Sequence, residues 1–232
     1  MRTELYSKKS AVFRLFACVL LFCLFATGCR RNDGPASIEV VQTFDFSDSY
    51  QGWSVDFADY MTGQDEIYEF AQAHTALPRP LDTTKKAVMV SSHNRSDDMF
   101  MFLKRKITGL RPNQRYGVRF EVTFASDAPS NWAGIGGAPG EGVTMKVGAV
   151  PQEPQKSLDN LNHYRLDIDK GNQSQGGKDA VVVGDVANGL DQPTYALLTR
   201  TNDQQPLEAT TDGNGNLWVL VGTDSGFEGK TT

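Results

Sequence analysis

Side chains suited to chemistry gather in the acidic loops of this chain. Asp167-x-Asp169-x-Gly171-Asn172 and Asp212-x-Asn214-x-Asn216 set oxygen atoms at alternate positions. Calcium loops begin this way, because a hard cation of that size gathers about six to eight oxygen ligands. Asp97, Asp98 and Asp224, with Asp45 as a further candidate, would supply more oxygens from other loops. A structural calcium held by Asp97, Asp98, Asp167, Asp169 and Asp224 is therefore one expectation. Turn chemistry is the other, and the sequence favours it. Lys178 and Thr223 stand where a calcium loop closes on glutamate, and Asp-Gly and Asn-Gly steps make hairpins with no metal at all.

The aromatic residues offer a second chemistry. Sugar rings lay their C–H faces on Trp and Tyr while nearby polar groups meet their hydroxyls. Trp132 follows the polar stretch Asp127-Ala128-Pro129-Ser130-Asn131, and Tyr60 follows Asp59, so Trp132 and Tyr60 are the expected ligand-binding residues. Trp53 and Trp218 sit within strand patterns and read as core. Catalysis on a glycan would need a carboxylate pair about 5–9.5 Å apart. Glu121, Asp97 and Glu141 are candidates that sequence alone does not rank.

Three near-matches fail on particular residues. Gly222 to Thr231 ends in Gly229-Lys230-Thr231, which resembles a phosphate-binding P-loop, but Asp224 stands where that loop has a glycine to wrap the anion. Asp224-Ser225-Gly226 resembles the nucleophile loop of trypsin-like proteases, yet none of His74, His93 and His163 has the setting of that family's general base. Gly134-Ile135-Gly136 is followed by Pro139 where a dinucleotide fingerprint has its third glycine. Nucleotide is thus not an expected partner.

The elements that must position these residues are strands. Asp97 to Phe124 is the centre of the pattern, with the unbroken run Met99-Phe100-Met101-Phe102-Leu103 first. A turn-like Gly109-Leu110-Arg111-Pro112-Asn113 follows, and then Tyr116, Val118, Phe120, Val122 and Phe124 alternate with smaller or polar residues. The second run has one face for a core and one for water; the first reads as a strand covered on both faces. Further short runs fall at Val40–Phe46, Trp53–Phe57, Ile67–Phe70, Ala87–Ser91, Val143–Val147, Tyr164–Ile168, Ala180–Val183, Tyr195–Thr199 and Leu217–Val221. Gly, Pro and Asn punctuate them, and no helical stripe lasts three turns. This predicts an all-β fold, an antiparallel β-sandwich.

Leu110-Arg111-Pro112 before Tyr116 resembles the tyrosine corner of sandwich domains, in which a tyrosine hydroxyl bonds back to the preceding connection. Phe44-Asp45-Phe46 with Gly52-Trp53 resembles the opening strands of jelly-roll carbohydrate-binding modules, and implies a sandwich of jelly-roll type. Asn94-Arg95-Ser96-Asp97-Asp98, Gly136 to Glu141, Asp169 to Gln173 and Gly222 to Gly229 resemble a group of bacterial exported lipoproteins to which no activity is assigned. That resemblance implies export, the sandwich fold and one more strand beyond Lys230-Thr231-Thr232.

The first residues read as a separate unit. Arg2, Lys8, Lys9 and Arg14 precede an apolar Leu15–Phe25, the layout of a secretory signal, taken to be helical and too short for the roughly 20 residues of a bilayer span. Ala26-Thr27-Gly28-Cys29 resembles the lipobox of bacterial lipoproteins, with Ala26 in the place of the usual leucine. The resemblance implies cleavage before Cys29 and acylation of its thiol; an ordinary signal peptide or an uncleaved anchor are the alternatives. The other cysteines, Cys18 and Cys23, fall in the leader, so the processed chain would have neither a disulfide nor a cysteine zinc site.

Removing residues 1–28 takes four basic and one acidic side chain from the 23 and 28 of the whole chain, leaving 19 against 27, a net charge of −8. That balance argues against nucleic acid and against an anionic membrane surface. Contact with the membrane would come from the lipid, at about 0.8 kcal/mol per buried methylene. The organisation expected is a signal peptide over 1–28, a tether over 29–37 and one sandwich over 38–232. The function expected is that of an envelope lipoprotein, on the outer membrane where there is one, binding a ligand, glycan being a candidate, without catalysis. A glycan-active hydrolase and a purely structural lipoprotein are the alternatives.

Overall fold

The computed structural model describes residues 2–6 and 39–232 apart from Asp97, so Cys29, most of the leader and Asp97 lie outside the described residues. Sixteen strands and one helical turn make up the described fold. In chain order the first half comprises β1 (Arg2–Tyr6), β2 (Glu39–Thr43), β3 (Ser54–Ala58), β4 (Tyr60–Met61), α1 (Asp65–Tyr68), β5 (Ala71–Ala76), β6 (Lys86–His93), β7 (Met99–Ile107) and β8 (Arg115–Ser126). The second half comprises β9 (Val143–Val150), β10 (Lys156–Leu158), β11 (His163–Leu166), β12 (Ala180–Asp185), β13 (Ala196–Thr201), β14 (Leu207–Thr210), β15 (Leu217–Ser225) and β16 (Lys230–Thr231).

Two antiparallel five-stranded sheets form the body. One has the order β13-β8-β1-β2, with β14 also on β8; the other runs β12-β9-β15-β7-β3. Alternation explains how they stack. Tyr116, Val118, Phe120 and Val122 of β8 bury against Val143, Met145, Val147 and Ala149 of β9 and Leu217, Val219 and Val221 of β15 in one core. Each such aliphatic or aromatic side chain contributes about 1.5–3 kcal/mol. The all-β sandwich expected from the sequence is the fold observed.

β7 and β15 are covered on both faces, which is why their sequences do not alternate. Leu103 packs on the intersheet core, whereas Phe100 and Phe102 join Ala58, Leu220, Leu166 and Ile168 behind the sheet. The cover on that rear face includes β10 and β11, which form a small sheet with β4. A third unit, β16-β6-β5, is hydrogen-bonded among the described strands to neither large sheet. Glu69, in the left-handed position that ends α1, holds it by accepting from Lys230 Nζ at 2.9 Å and lying 3.3 Å from His93 Nδ1.

Two side chains finish the backbone of β8. The Tyr116 hydroxyl accepts the Arg111 N–H at 3.1 Å, the corner bond expected from Leu110-Arg111-Pro112. Asn202 lies between the pairings of β8 with β13 and with β14, accepting from Phe120 N at 2.7 Å and donating to the Val118 carbonyl at 3.0 Å. A side chain here stands in for strand pairing.

Two local expectations are corrected. Ile67–Phe70, read as a strand, is the end of α1 and the connection after it. Arg2–Tyr6, read as part of a helical leader, is a strand between β8 and β2, where both flanking backbones offer partners.

Candidate functional site

An apolar cleft of about 440 Å³ opens between the β5–β6 hairpin and the two large sheets. Its floor is built from inward positions of the sandwich: Met101 and Leu103 of β7, Val122 of β8, Met145 of β9 and Val221 of β15. Thr75 to Pro78 and Ala87 to Val90 of the hairpin form the opposite wall. The hairpin residues Ala87–Val90, which border this space, are half-buried. Among the described lining residues none is Asp, Glu, Lys, Arg or His.

The polar side-chain atoms along the cleft are hydroxyls, and some already have partners. Ser126 Oγ donates to the Val186 carbonyl at 2.6 Å, and Thr232 bonds Ser91 at 2.9 Å. Tyr195 is partly buried, and that burial, helped by Asp127, pushes its hydroxyl pKa up. Thr223 Oγ1 differs from these in being buried with no hydrogen-bond partner. A hydroxyl in that position costs stability until something enters and bonds it.

Behind the sheet lies a buried ion cluster. Lys146 on β9 and Asp224 on β15 are both 0% exposed, and Lys146 Nζ donates to Asp224 Oδ2 at 2.7 Å and to the Lys170 carbonyl at 3.0 Å. Lys170 Nζ also reaches Asp224 Oδ2 at 2.7 Å and lies 2.9 Å from Asp59 Oδ2 and 4.9 Å over the Phe100 ring. Arg165 continues the chain outward, with Nη1 at 3.1 Å from Asp59 and 3.0 Å from Asp98, and Nε at 3.3 Å from Asp159. Desolvation, then the carboxylates of Asp224 and Asp59, raise the Asp98 carboxyl pKa to about 6 against the pull of Lys170 and Arg165. Desolvation lowers the Lys146 pKa despite Asp224 beside it.

The five residues expected to bind calcium divide between different tasks. Asp98 and Asp224 belong to the ion cluster, where ammonium and guanidinium groups supply the positive charge. Asp167 accepts from Gln155 N at 2.8 Å, and Asp169 accepts from Gly171 N and Lys178 N at 3.1 and 3.0 Å. Asp97 lies outside the described residues. The second acidic loop is likewise a turn, with Asp212 Oδ1 accepting from Asn214 N and Asn216 N and Gly215 in the left-handed region. Among the described residues no group of three or more His, Cys, Asp or Glu is arranged to hold a metal ion.

Nor do the two expected stacking residues share a setting. Trp132 is 47% exposed on its loop, its Nε1 donating to the Asp191 carbonyl at 3.0 Å. Tyr60 is 3% exposed and packs against Tyr68, Phe70 and Tyr164, with Lys156 Nζ donating to its hydroxyl at 3.2 Å. Tyr60 is therefore a packing residue with no open face for a ring. Of the carboxylates considered for catalysis, Glu121 is exposed on the outer face of β8 and Glu141 braces the Trp132 loop by accepting from Asn131 N at 2.9 Å. Sequence reasoning missed Thr223, the hairpin wall and Lys146. A lysine between Met145 and Val147, in a strand with no other charge, was the available signal for the last.

No protein-family model matches the chain, and no curated protein matches it. In structure it is similar to the enzymatically active domain of tailspike protein 4 of bacteriophage CBA120, at 7% sequence identity and a TM-score of 0.32, over 81% of this chain and 19% of that one. A likeness of that degree carries no functional argument.

Proposed function

We propose that the chain is an envelope lipoprotein anchored through an acylated Cys29, its processing taking β1 out from between β8 and β2, and that its sandwich, of jelly-roll type, binds a ligand without catalysis in the cleft, whose described lining includes no residue of β1. The observation that carries the reading is an uncharged hollow of about 440 Å³, a ligand-sized volume, at the meeting of the sheets and the hairpin. Its described lining offers no imidazole, carboxylate, amine or thiol to act as base, acid or nucleophile. Filling the space tests this. Leu103→Trp, on the β7 floor, is expected to abolish uptake of the apolar dye N-phenyl-naphthylamine while the folded protein persists; uptake unchanged by the tryptophan would refute the cleft as the site. For the anchor, radiolabelled palmitate should mark the wild-type chain and not Cys29→Ser.

Trp132 supports a second reading, glycan contact at the rim, because its ring is open while Asn131, Glu141 and Asp191 lie beside it in the same loop system. Retention on a glycan affinity gel that survives Trp132→Ala, or no retention at all, would remove it.

A further inference from the structure

We infer that the cleft takes an uncharged lipophile, an aliphatic body with one hydrogen-bonding group such as an alcohol or ester, and that Thr223, turning its buried hydroxyl toward the cleft, receives that group. The inference rests on the cleft being the ligand site and names the chemistry of its occupant. Three properties of the lining point the same way. First, the described lining holds no charged side chain, so an ionised ligand would leave water with nothing of opposite sign to meet it. Second, the floor and wall include Met89, Met101 and Met145, whose unbranched thioethers adapt to a flexible aliphatic shape. An apolar hollow of this sort holds water poorly and accepts apolar molecules in its place.

The third property sets the number of polar groups. Ser126 and Thr232 already spend their hydroxyls on protein partners, and the floor residues Met101, Leu103, Val122, Met145 and Val221 have none to offer, so a sugar, with a hydroxyl on nearly every carbon, would have those facing the floor stranded. Of the buried unpartnered polar atoms among the described residues, Thr223 Oγ1 is the one that lines the cleft. One unsatisfied hydroxyl on an apolar floor matches one polar group on an apolar ligand.

The test is displacement of N-phenyl-naphthylamine from the full chain by lauryl alcohol, ionised laurate and maltose, repeated on Thr223→Val. The alcohol should displace the dye, laurate should do so at least about tenfold more weakly, and maltose should not compete. Thr223→Val, which keeps the side-chain shape and removes only the hydroxyl, should weaken the alcohol by roughly tenfold relative to the dye, the effect of one hydrogen bond. Its melting temperature should be equal or higher, since an unpaired buried hydroxyl has gone. Laurate or maltose competing as well as the alcohol, or an unchanged alcohol-to-dye ratio in Thr223→Val, would overturn the inference and leave the cleft standing as a site. Dye uptake that Leu103→Trp does not reduce would instead sink the cleft reading itself.

Discussion

Asp224→Asn is expected to be among the most damaging single substitutions in the sandwich. Asp224 Oδ2 sits 2.7 Å from both Lys146 Nζ and Lys170 Nζ, and neither Asp224 nor Lys146 is exposed. Replacing the carboxylate with an amide keeps the volume and leaves two ammonium groups facing it. Lys170 retains Asp59 at 2.9 Å and the ring of Phe100, but among the described contacts Lys146 keeps only the Lys170 carbonyl. Stranding a buried charge costs about 3–5 kcal/mol. With a urea dependence of about 2–3 kcal/mol per molar, the unfolding midpoint of the full chain should fall by roughly 1–2 M. The companion double variant Lys146→Met with Asp224→Leu removes both charges and refills the space, and should recover most of that loss. A cost below about 1 kcal/mol for Asp224→Asn, or a double variant as unstable as the single, would refute the claim that the cost comes from an uncompensated buried ion.

Asp98 sets a pH dependence of defined sign. Its carboxyl pKa is raised from 3.8 to about 6, so between those values the folded state holds more protons than the unfolded one and stability falls as pH rises. Asp98→Asn should therefore gain on the wild type between pH 4 and 7, by about 1–3 kcal/mol, in urea titrations run across that range. Tyr116→Phe loses the hydroxyl that accepts the Arg111 N–H, and should cost about 0.5–1.5 kcal/mol in the same assay. Asn202→Ala strands the Phe120 N–H and the Val118 carbonyl together, so about 2–4 kcal/mol is expected, with faster amide exchange at Phe120. Calcium is expected to leave the melting temperature unchanged, because Asp167, Asp169 and Asp212 already accept backbone N–H groups that close their loops.

The layers were legible where hydrophobicity has a clear period. β8 alternates because one face meets the core, and β7 is apolar throughout because Phe100 and Phe102 are covered from behind. The corner at Tyr116 was legible too, since its bond spans five residues of chain. β5 was not. Ala71-Gln72-Ala73-His74-Thr75-Ala76 has no large apolar residue to alternate, and it becomes a strand because β6 offers it a backbone. The cleft followed it into obscurity, for its wall is the hairpin. The acidic loops allow both calcium and turn readings in the sequence, because Asp-x-Asp spacing looks the same whether the oxygens meet a cation or turn back on backbone N–H groups.

Thr223 and Asp224 show why the two sites were hardest of all to see. Taken as loop residues after Val221, they belong to one Thr-Asp-Ser-Gly segment. As residues of β15, which runs on to Ser225, they point to opposite faces of a sheet. Thr223 lines the uncharged cleft, and Asp224 meets two lysines behind the sheet. A slip of one residue against β7 or β9 would exchange them, sending a carboxylate into an apolar hollow and a hydroxyl to two buried ammonium groups. Both faces thus penalise the same error, so the ion cluster, whatever its net contribution to stability, helps hold the register that keeps Thr223 in the cleft.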